Sequence, residues 1–173
     1  MEKNNETIYI LDSPVFISGF TEFINKKFIT SNLVLKEIKT KNLIKNLDII
    51  IKKGLIKIVK PKEKYIKKII EISKEIGDFK KLSKTDIEIL AIALEEENKG
   101  KNAIIVSDDY SLQNIAKHLG IEIEGIHFPK IKKSIEWQWY CPSCFKKYDN
   151  EANGICQICG SKLKRKPKKQ RIL

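Results

Sequence analysis

Long apolar runs are missing from this chain of 173 residues, and none approaches the roughly 20 consecutive apolar positions that a helix needs to cross a bilayer. The opening MEKNNETIYILD has no basic patch leading into an apolar stretch, so no secretory leader is expected and the cytosol is the expected compartment. Cysteine is limited to four residues, all of them after residue 140. Histidine is limited to two. His118 and His127 could be considered as general acids, but both are expected to be ordinary surface or packing residues. His118 lies late in a helix, where the dipole favours a cation. No internal repeat occurs beyond the two cysteine pairs.

What is present is 42% hydrophobic and 32% charged residues, the composition of a globular protein. The length suffices for one full domain plus a satellite too small to fold on its own core. The net charge of +12 is unevenly spread. Residues 1–129 hold 22 basic and 19 acidic side chains, whereas residues 130–173 hold 12 and 3. A basic concentration of that kind attracts polyanions, nucleic acid first among them. A lysine- and isoleucine-rich composition accounts equally well for the lysines scattered elsewhere.

Short β-rich runs alternate with longer helical patterns over residues 1–128, which predicts a parallel α/β sheet flanked by helices. TIYIL (7–11), IKIV (56–59), AIIV (103–106) and IEI (121–123) read as strands. Ser13-Pro14 reads as a helix start. Ser31 or Asn32 caps a helix through LVLKEIK, and Leu43–Lys53 continues to Gly54. Pro61 opens a charged helix that Gly77 closes. Ser83 with Asp86 resembles a capping box in which Asp replaces the usual Glu or Gln, and Ile87, Leu90, Ala91 and Leu94 recur on one face of the helix that follows. Tyr110–Leu119 is a helix stopped by Gly120. Residues 129–136 are expected to be a linker, 137–163 a cysteine-bearing module, and 164–173 a basic tail too poor in apolar residues to pack.

Cys141-Pro-Ser-Cys144 and Cys156-Gln-Ile-Cys159 use every cysteine. A C-x-x-C turn directs two sulfurs toward one point, and two such turns complete a tetrahedral site. Gly154 and Gly160 supply permissive backbone for them. A redox role is the alternative, but two pairs 11 residues apart point to a zinc ribbon. Four sulfur ligands leave no position for substrate, so this zinc is structural. Trp137, Trp139 and Tyr140 could stack on unpaired bases or pack against the ribbon or main domain.

Asp12 directly follows the first strand, and Asp108 and Asp109 follow AIIV. In an open parallel sheet, ligands collect beyond the carboxyl ends of strands. Asp86 taken alone is explained by its place at a helix N-terminus. Several acids brought together repel one another and need a cation, and hard oxygen ligands select Mg²⁺ or Mn²⁺. Surface charges and helix caps remain the alternative reading.

ILDSPVFI around Asp12, VLKEI around Glu37, LSKTDIEILAIALE around Asp86 and IIVSDDYSLQNIAKHLG around Asp109 resemble the four acidic motifs of PIN-domain ribonucleases. Joined to a four-cysteine ribbon, they look like the Nin-one-binding family, endoribonucleases that mature the 3′ end of small-subunit rRNA. The short form without a large insertion is similar to archaeal members. The resemblance implies that Asp12, Asp86 and Asp109 are ligands of Mg²⁺ or Mn²⁺. It implies that Glu37 completes the pocket as a ligand, direct or through water, or as a proton acceptor. Asp109 is preferred because the family's fourth acid stands two residues after a Ser or Thr, here Ser107; Asp108 assists. Ser13 and Ser107 are expected to orient the acids. Pro14 and Phe16 replace smaller residues and Ser107 replaces the more usual Thr, which bears on pocket shape. The implied reaction is hydrolysis of a phosphodiester by metal-activated water, leaving a 5′-phosphate and a 3′-hydroxyl. The implied partners are precursor small-subunit rRNA and the pre-ribosomal small subunit. Two alternatives stand beside this one: a non-catalytic RNA-binding assembly factor, and a PIN ribonuclease toxin.

Overall fold

The computed structural model of the chain describes residues 6–18, 26–127, 133–149 and 152–172. Five strands form one parallel sheet: β1 (Thr7–Leu11), β2 (Lys27–Thr30), β3 (Ile56–Ile58), β4 (Asn102–Val106) and β5 (Glu122–Glu124). Their order is β3-β2-β1-β4-β5, so the two most apolar runs, β1 and β4, lie side by side near the middle. Ile8, Ile10, Leu11 and Ala103–Val106 are buried, as expected of parallel strands covered on both faces.

Among the described residues six α-helices flank the sheet: α1 (Ser13–Ile17), α2 (Asn32–Glu37), α3 (Lys41–Lys52), α4 (Glu63–Ile76), α5 (Lys84–Asn98) and α6 (Tyr110–His118). Ser31 caps α2, its Oγ accepting from the N–H of Val34. The capping box at Ser83 is complete in both directions. Burial on α5 is wider than one face: Ile89, Leu90, Ala91, Ile92 and Ala93 are all buried, because this helix lies between the sheet and its helical neighbours. Among the described residues no helix is long and apolar enough to cross a membrane.

One strand was not anticipated. KFIT forms β2, the bridge between β1 and β3, with Tyr9 opposite Phe28 and Ile29 opposite Lys57. It is four residues long and begins with an exposed lysine, so periodicity alone gives it no signal. Its identity comes from the two neighbours that complete its hydrogen bonds.

The C-terminal part corrects two boundaries. A second, antiparallel sheet has the order β7-β6-β8, from β6 (Lys133–Tyr140), β7 (Lys147–Tyr148) and β8 (Lys164–Ile172). Residues 133–136, expected in a linker, are half of β6; Pro129 and the rest of that expected linker before 133 lie outside the described residues. The tail expected to be unpacked is β8, paired with β6 from Lys133↔Ile172 to Tyr140↔Lys164. Poverty in apolar residues argues against a core, but an edge strand is held by its hydrogen-bond ladder and tolerates both Lys and Pro.

This sheet rests on the first domain through a close approach. Gly77 ends α4 with φ +81°, and a Cβ there would lie 3.1 Å from the Trp137 carbonyl oxygen of β6. Left-handed backbone and the missing side chain are both required at that point.

Candidate active site and cysteine cluster

The register of the central pair builds the site. Leu11 is opposite Val106, so the residues that follow, Asp12 and Ser107, emerge together at the carboxyl end of the sheet. Asp12 is only 4% exposed. It caps α1, its Oδ1 accepting from the Ser13 N–H at 2.7 Å, while Oδ2 accepts from the Ser107 hydroxyl at 2.6 Å. Ser107 Oγ also accepts from the Asp109 N–H at 3.1 Å, and the Ser107 carbonyl accepts from Gln113 Nε2 at 2.8 Å. One buried hydroxyl thereby ties two of the expected acids together. Ser13 orients Asp12 through its backbone and not through its hydroxyl.

The remaining acids are presented from helix ends. Asp86 occupies the first turn of α5, its Oδ2 accepting from the Ser83 N–H at 2.7 Å. Asp109 caps α6, with Oδ1 accepting from the Leu112 N–H at 2.8 Å. Glu37 closes α2 and is exposed, its Oε1 accepting from the buried Thr85 hydroxyl at 2.5 Å. Burial, and then the charges of Asp86 and Glu37, push Asp12 up to about 6, against the lowering effect of the Ser107 and Ser13 hydrogen bonds. Asp86 is also raised, by burial first and then by Asp109 and Glu37, with the Ser83 bonds opposing. Asp12 thus feels Asp86 and Glu37 as like charges, and Asp86 feels Asp109 and Glu37. A divalent cation would relieve that repulsion, and carboxylate oxygens are its preferred donors.

Asp108 departs from this group. Its carboxylate turns to the segment after β5, where it accepts from the N–H of Ile126 at 2.7 Å and of His127 at 3.0 Å, with His127 Nδ1 at 3.1 Å. That is a loop-holding role. Thr85 and Gln113 were not picked out from the sequence, and the sole signal for either is a polar side chain on an otherwise apolar helix face. A separate cavity lies at the opposite end of the strands, among Ile8, Phe28, Leu55 and Ile92. It contains none of these acids, and charged groups on its rim pair with each other, Lys27 with Glu6 and Lys101 with Glu96.

The four cysteines converge as their spacing predicts. Their sulfurs all lie within 4.8 Å of one another, and among the described residues this is the group of three or more potential ligands that approaches so closely. Cys141 Sγ is 3.4 Å from Cys159 Sγ, and Cys144 Sγ is 3.5 Å from Cys156 Sγ. Disulfide sulfurs would be about 2 Å apart. A tetrahedron with metal–sulfur bonds of about 2.3 Å has edges near 3.8 Å, so the donor set fits a metal ion. Gly154 and Gly160 have φ of +77° and +71°, in the turns that present the second pair. The Tyr148 hydroxyl lies 3.1 Å from Cys156 Sγ, accepts from the Gln157 N–H at 3.2 Å, and holds the Cys156 thiol low, at about 6. Trp139 packs on this small core together with Leu163 and Tyr148.

Comparison with known proteins agrees with this architecture. Residues 9–95 match the family described as PIN domain of ribonuclease. Endoribonuclease Nob1 of Methanocaldococcus jannaschii is 41% identical over 95% of this chain and 80% of its own. Ribonuclease VapC1 of Thermoplasma acidophilum is 32% identical over 91% of this chain and 77% of its own. The 20S-pre-rRNA D-site endonuclease NOB1 of Saccharomyces cerevisiae is 38% identical over 54% of this chain, which is 21% of the yeast protein. With residues 9–95 matching the PIN domain and 41% identity to a Nob1 across nearly its whole length, the chain belongs to the PIN-domain ribonucleases, in the family of endoribonuclease Nob1.

Proposed function

We propose that the chain is a Mg²⁺- or Mn²⁺-dependent endoribonuclease that cuts precursor small-subunit rRNA near its mature 3′ end, in the cytoplasm, during ribosome biogenesis. The observation that carries the reading is the acidic group itself: the charges of Asp86 and Glu37 raise the proton affinity of buried Asp12, and those of Asp109 and Glu37 raise that of Asp86. A fold bears such repulsion when a cation answers it. The yeast relative, a 20S-pre-rRNA endonuclease, supports the substrate.

In this reading Asp12, Asp86 and Asp109 bind the catalytic ion, and Glu37, anchored through Oε1 by Thr85, receives a ligand bond or a proton at Oε2. A divalent ion held there would supply polarisation of the phosphodiester and a lowered pKa for water at the site. Ser107 fixes the spacing of Asp12 and Asp109. Asp108 serves by holding residues 126–127. The cysteine cluster holds zinc with a filled coordination sphere and so shapes the C-terminal sheet without touching the chemistry. Products carry a 5′-phosphate and a 3′-hydroxyl.

The test is incubation with a transcript spanning the 3′ end of the small-subunit RNA, with and without Mn²⁺, followed by mapping of the ends. Cleavage should require the metal, and Asp86→Asn should reduce it by about 10²-fold or more while RNA binding is kept. Binding without cleavage under every divalent metal would favour a non-catalytic assembly factor instead.

A further inference from the structure

The expected linker and tail are not loosely attached. Asn114, on α6 and fully buried, grips β6 as a neighbouring strand would: its Oδ1 accepts from the Ile135 N–H at 2.7 Å and its Nδ2 donates to the Ile135 carbonyl at 2.9 Å. The same Nδ2 donates to Asp78 Oδ2 at 2.6 Å. Asp78 is 1% exposed. Its Oδ1 accepts from Arg165 of β8 at 3.0 Å, and Arg165 donates also to the Gly77 carbonyl at 2.6 Å. The guanidinium lies 4.4 Å from the centroid of the Trp137 ring. Both strands are therefore tied to one buried carboxylate, β8 directly through Arg165 and β6 by way of Asn114.

That fastening is next to the acids. Asn114 and Asp109 stand on the same helix, about 8 Å apart along its axis at 1.5 Å per residue. Tyr110, between them and partly exposed, senses the charges of both Asp78 and Arg165. Along β8 alternate side chains point to opposite faces. Arg165 faces the first domain, so Lys164 and Lys166 face away, Lys166 with its Nζ 4.7 Å from the Tyr140 ring. Lys168, the extra residue that the bulge leaves between Pro167 and Lys169, is exposed.

We propose that β8 is a fixed track for single-stranded RNA leading to the acidic pocket, and that Asp78, Asn114 and Arg165 are positioning residues that hold the track in place. The inference rests on the nuclease reading above. Lys164, Lys166 and Lys168 neutralise phosphates of the strand outside the pocket, and the buried junction fixes their distance from the acids.

The experiment compares a tetranucleotide, long enough for the acidic pocket alone, with a longer single strand, using the full zinc-loaded chain and Mn²⁺. Lengthening should lower KM about tenfold in the wild type, with kcat little altered. Arg165→Met should abolish that advantage. It should also flatten the dependence of log KM on log salt for the longer strand by about 2, the slope expected of three phosphate contacts. Arg165→Lys should recover part of the difference, since an ammonium can still donate to Asp78. Should Arg165→Met fail to fold, the Lys166→Gln, Lys168→Gln double variant leaves the junction untouched and should still raise KM for the longer strand. Equal loss on both substrates, or an unchanged KM for the longer strand in the double variant, would overturn the track. Binding of the longer strand, read by fluorescence anisotropy, needs no cleavage. If the wild type cuts neither RNA the nuclease reading falls, and the anisotropy of these variants still decides whether β8 carries RNA.

Discussion

Replacing Asp12 by Asn should stabilise the metal-free protein and abolish its response to metal. Asp12 is 4% exposed, and burial together with Asp86 and Glu37 lifts its carboxyl to about 6. An unfolded chain would have it near 3.9, so the shift of about 2 units corresponds to at most about 3 kcal/mol of stability lost on ionisation. The folded pKa lies above the unfolded one. Stability of the metal-free wild type therefore rises as pH falls through about 6, and the gain is complete below about 4. Asparagine keeps the shape: its oxygen can accept from the Ser13 N–H and its amide can donate to Ser107 Oγ. At pH 8, in zinc-loaded protein dialysed free of other divalent cations, Asp12→Asn should gain about 1–3 kcal/mol, or roughly 3–8 °C in Tm for a chain of this size. Near pH 4.5 the difference should shrink to about a third of that. Added Mn²⁺ should then raise the wild-type Tm at pH 8 and leave the variant where it was. A variant that melts lower than wild type at pH 8, or a difference that does not change with pH, would refute the argument.

Two further outcomes concern residues outside the acidic group. Tyr148→Phe removes the hydroxyl that lies against Cys156 Sγ and accepts from Gln157, and should weaken metal retention about tenfold in competition with a chromophoric chelator; unaltered retention would mean the hydroxyl is incidental. Asp108→Ala strands the N–H groups of Ile126 and His127, and should cost about 1–3 kcal/mol in denaturant unfolding while lowering cleavage far less than Asp109→Ala does. The reverse ranking in cleavage would return Asp108 to the pocket.

The parallel sheet was legible because its central strands are apolar after their first residue, IYIL in β1 and AIIV in β4, and because caps at Ser31 and Ser83 mark helix starts. Strand β2 was not, since four residues with an exposed lysine carry no period and acquire their place from β1 and β3. Asp12 could be located from its position after β1, yet its hydrogen bond to Ser107 spans 95 positions and belongs to the register of β1 on β4. Asp108 and Asp109 illustrate the limit sharply: adjacent in sequence and identical in chemistry, they point apart because Asp109 caps α6 while Asp108 meets residues 126–127. The cysteines needed no tertiary information, as each pair sets its own turn. The strand character of β8 needed all of it, because nothing in KRKPKKQRI announces the partner that its backbone finds in β6.

β8 lies at the border of its sheet, and its outer row of peptide groups is open to any extended chain that comes alongside. Pro167 withholds one donor from that row, and the repeated lysines make the approach of an identical molecule electrostatically costly. A polyanion meets no such barrier. The same charges that would admit a nucleic acid strand thus keep copies of the protein from stacking edge to edge, so variants stripped of them should be watched for self-association as well as for lost binding.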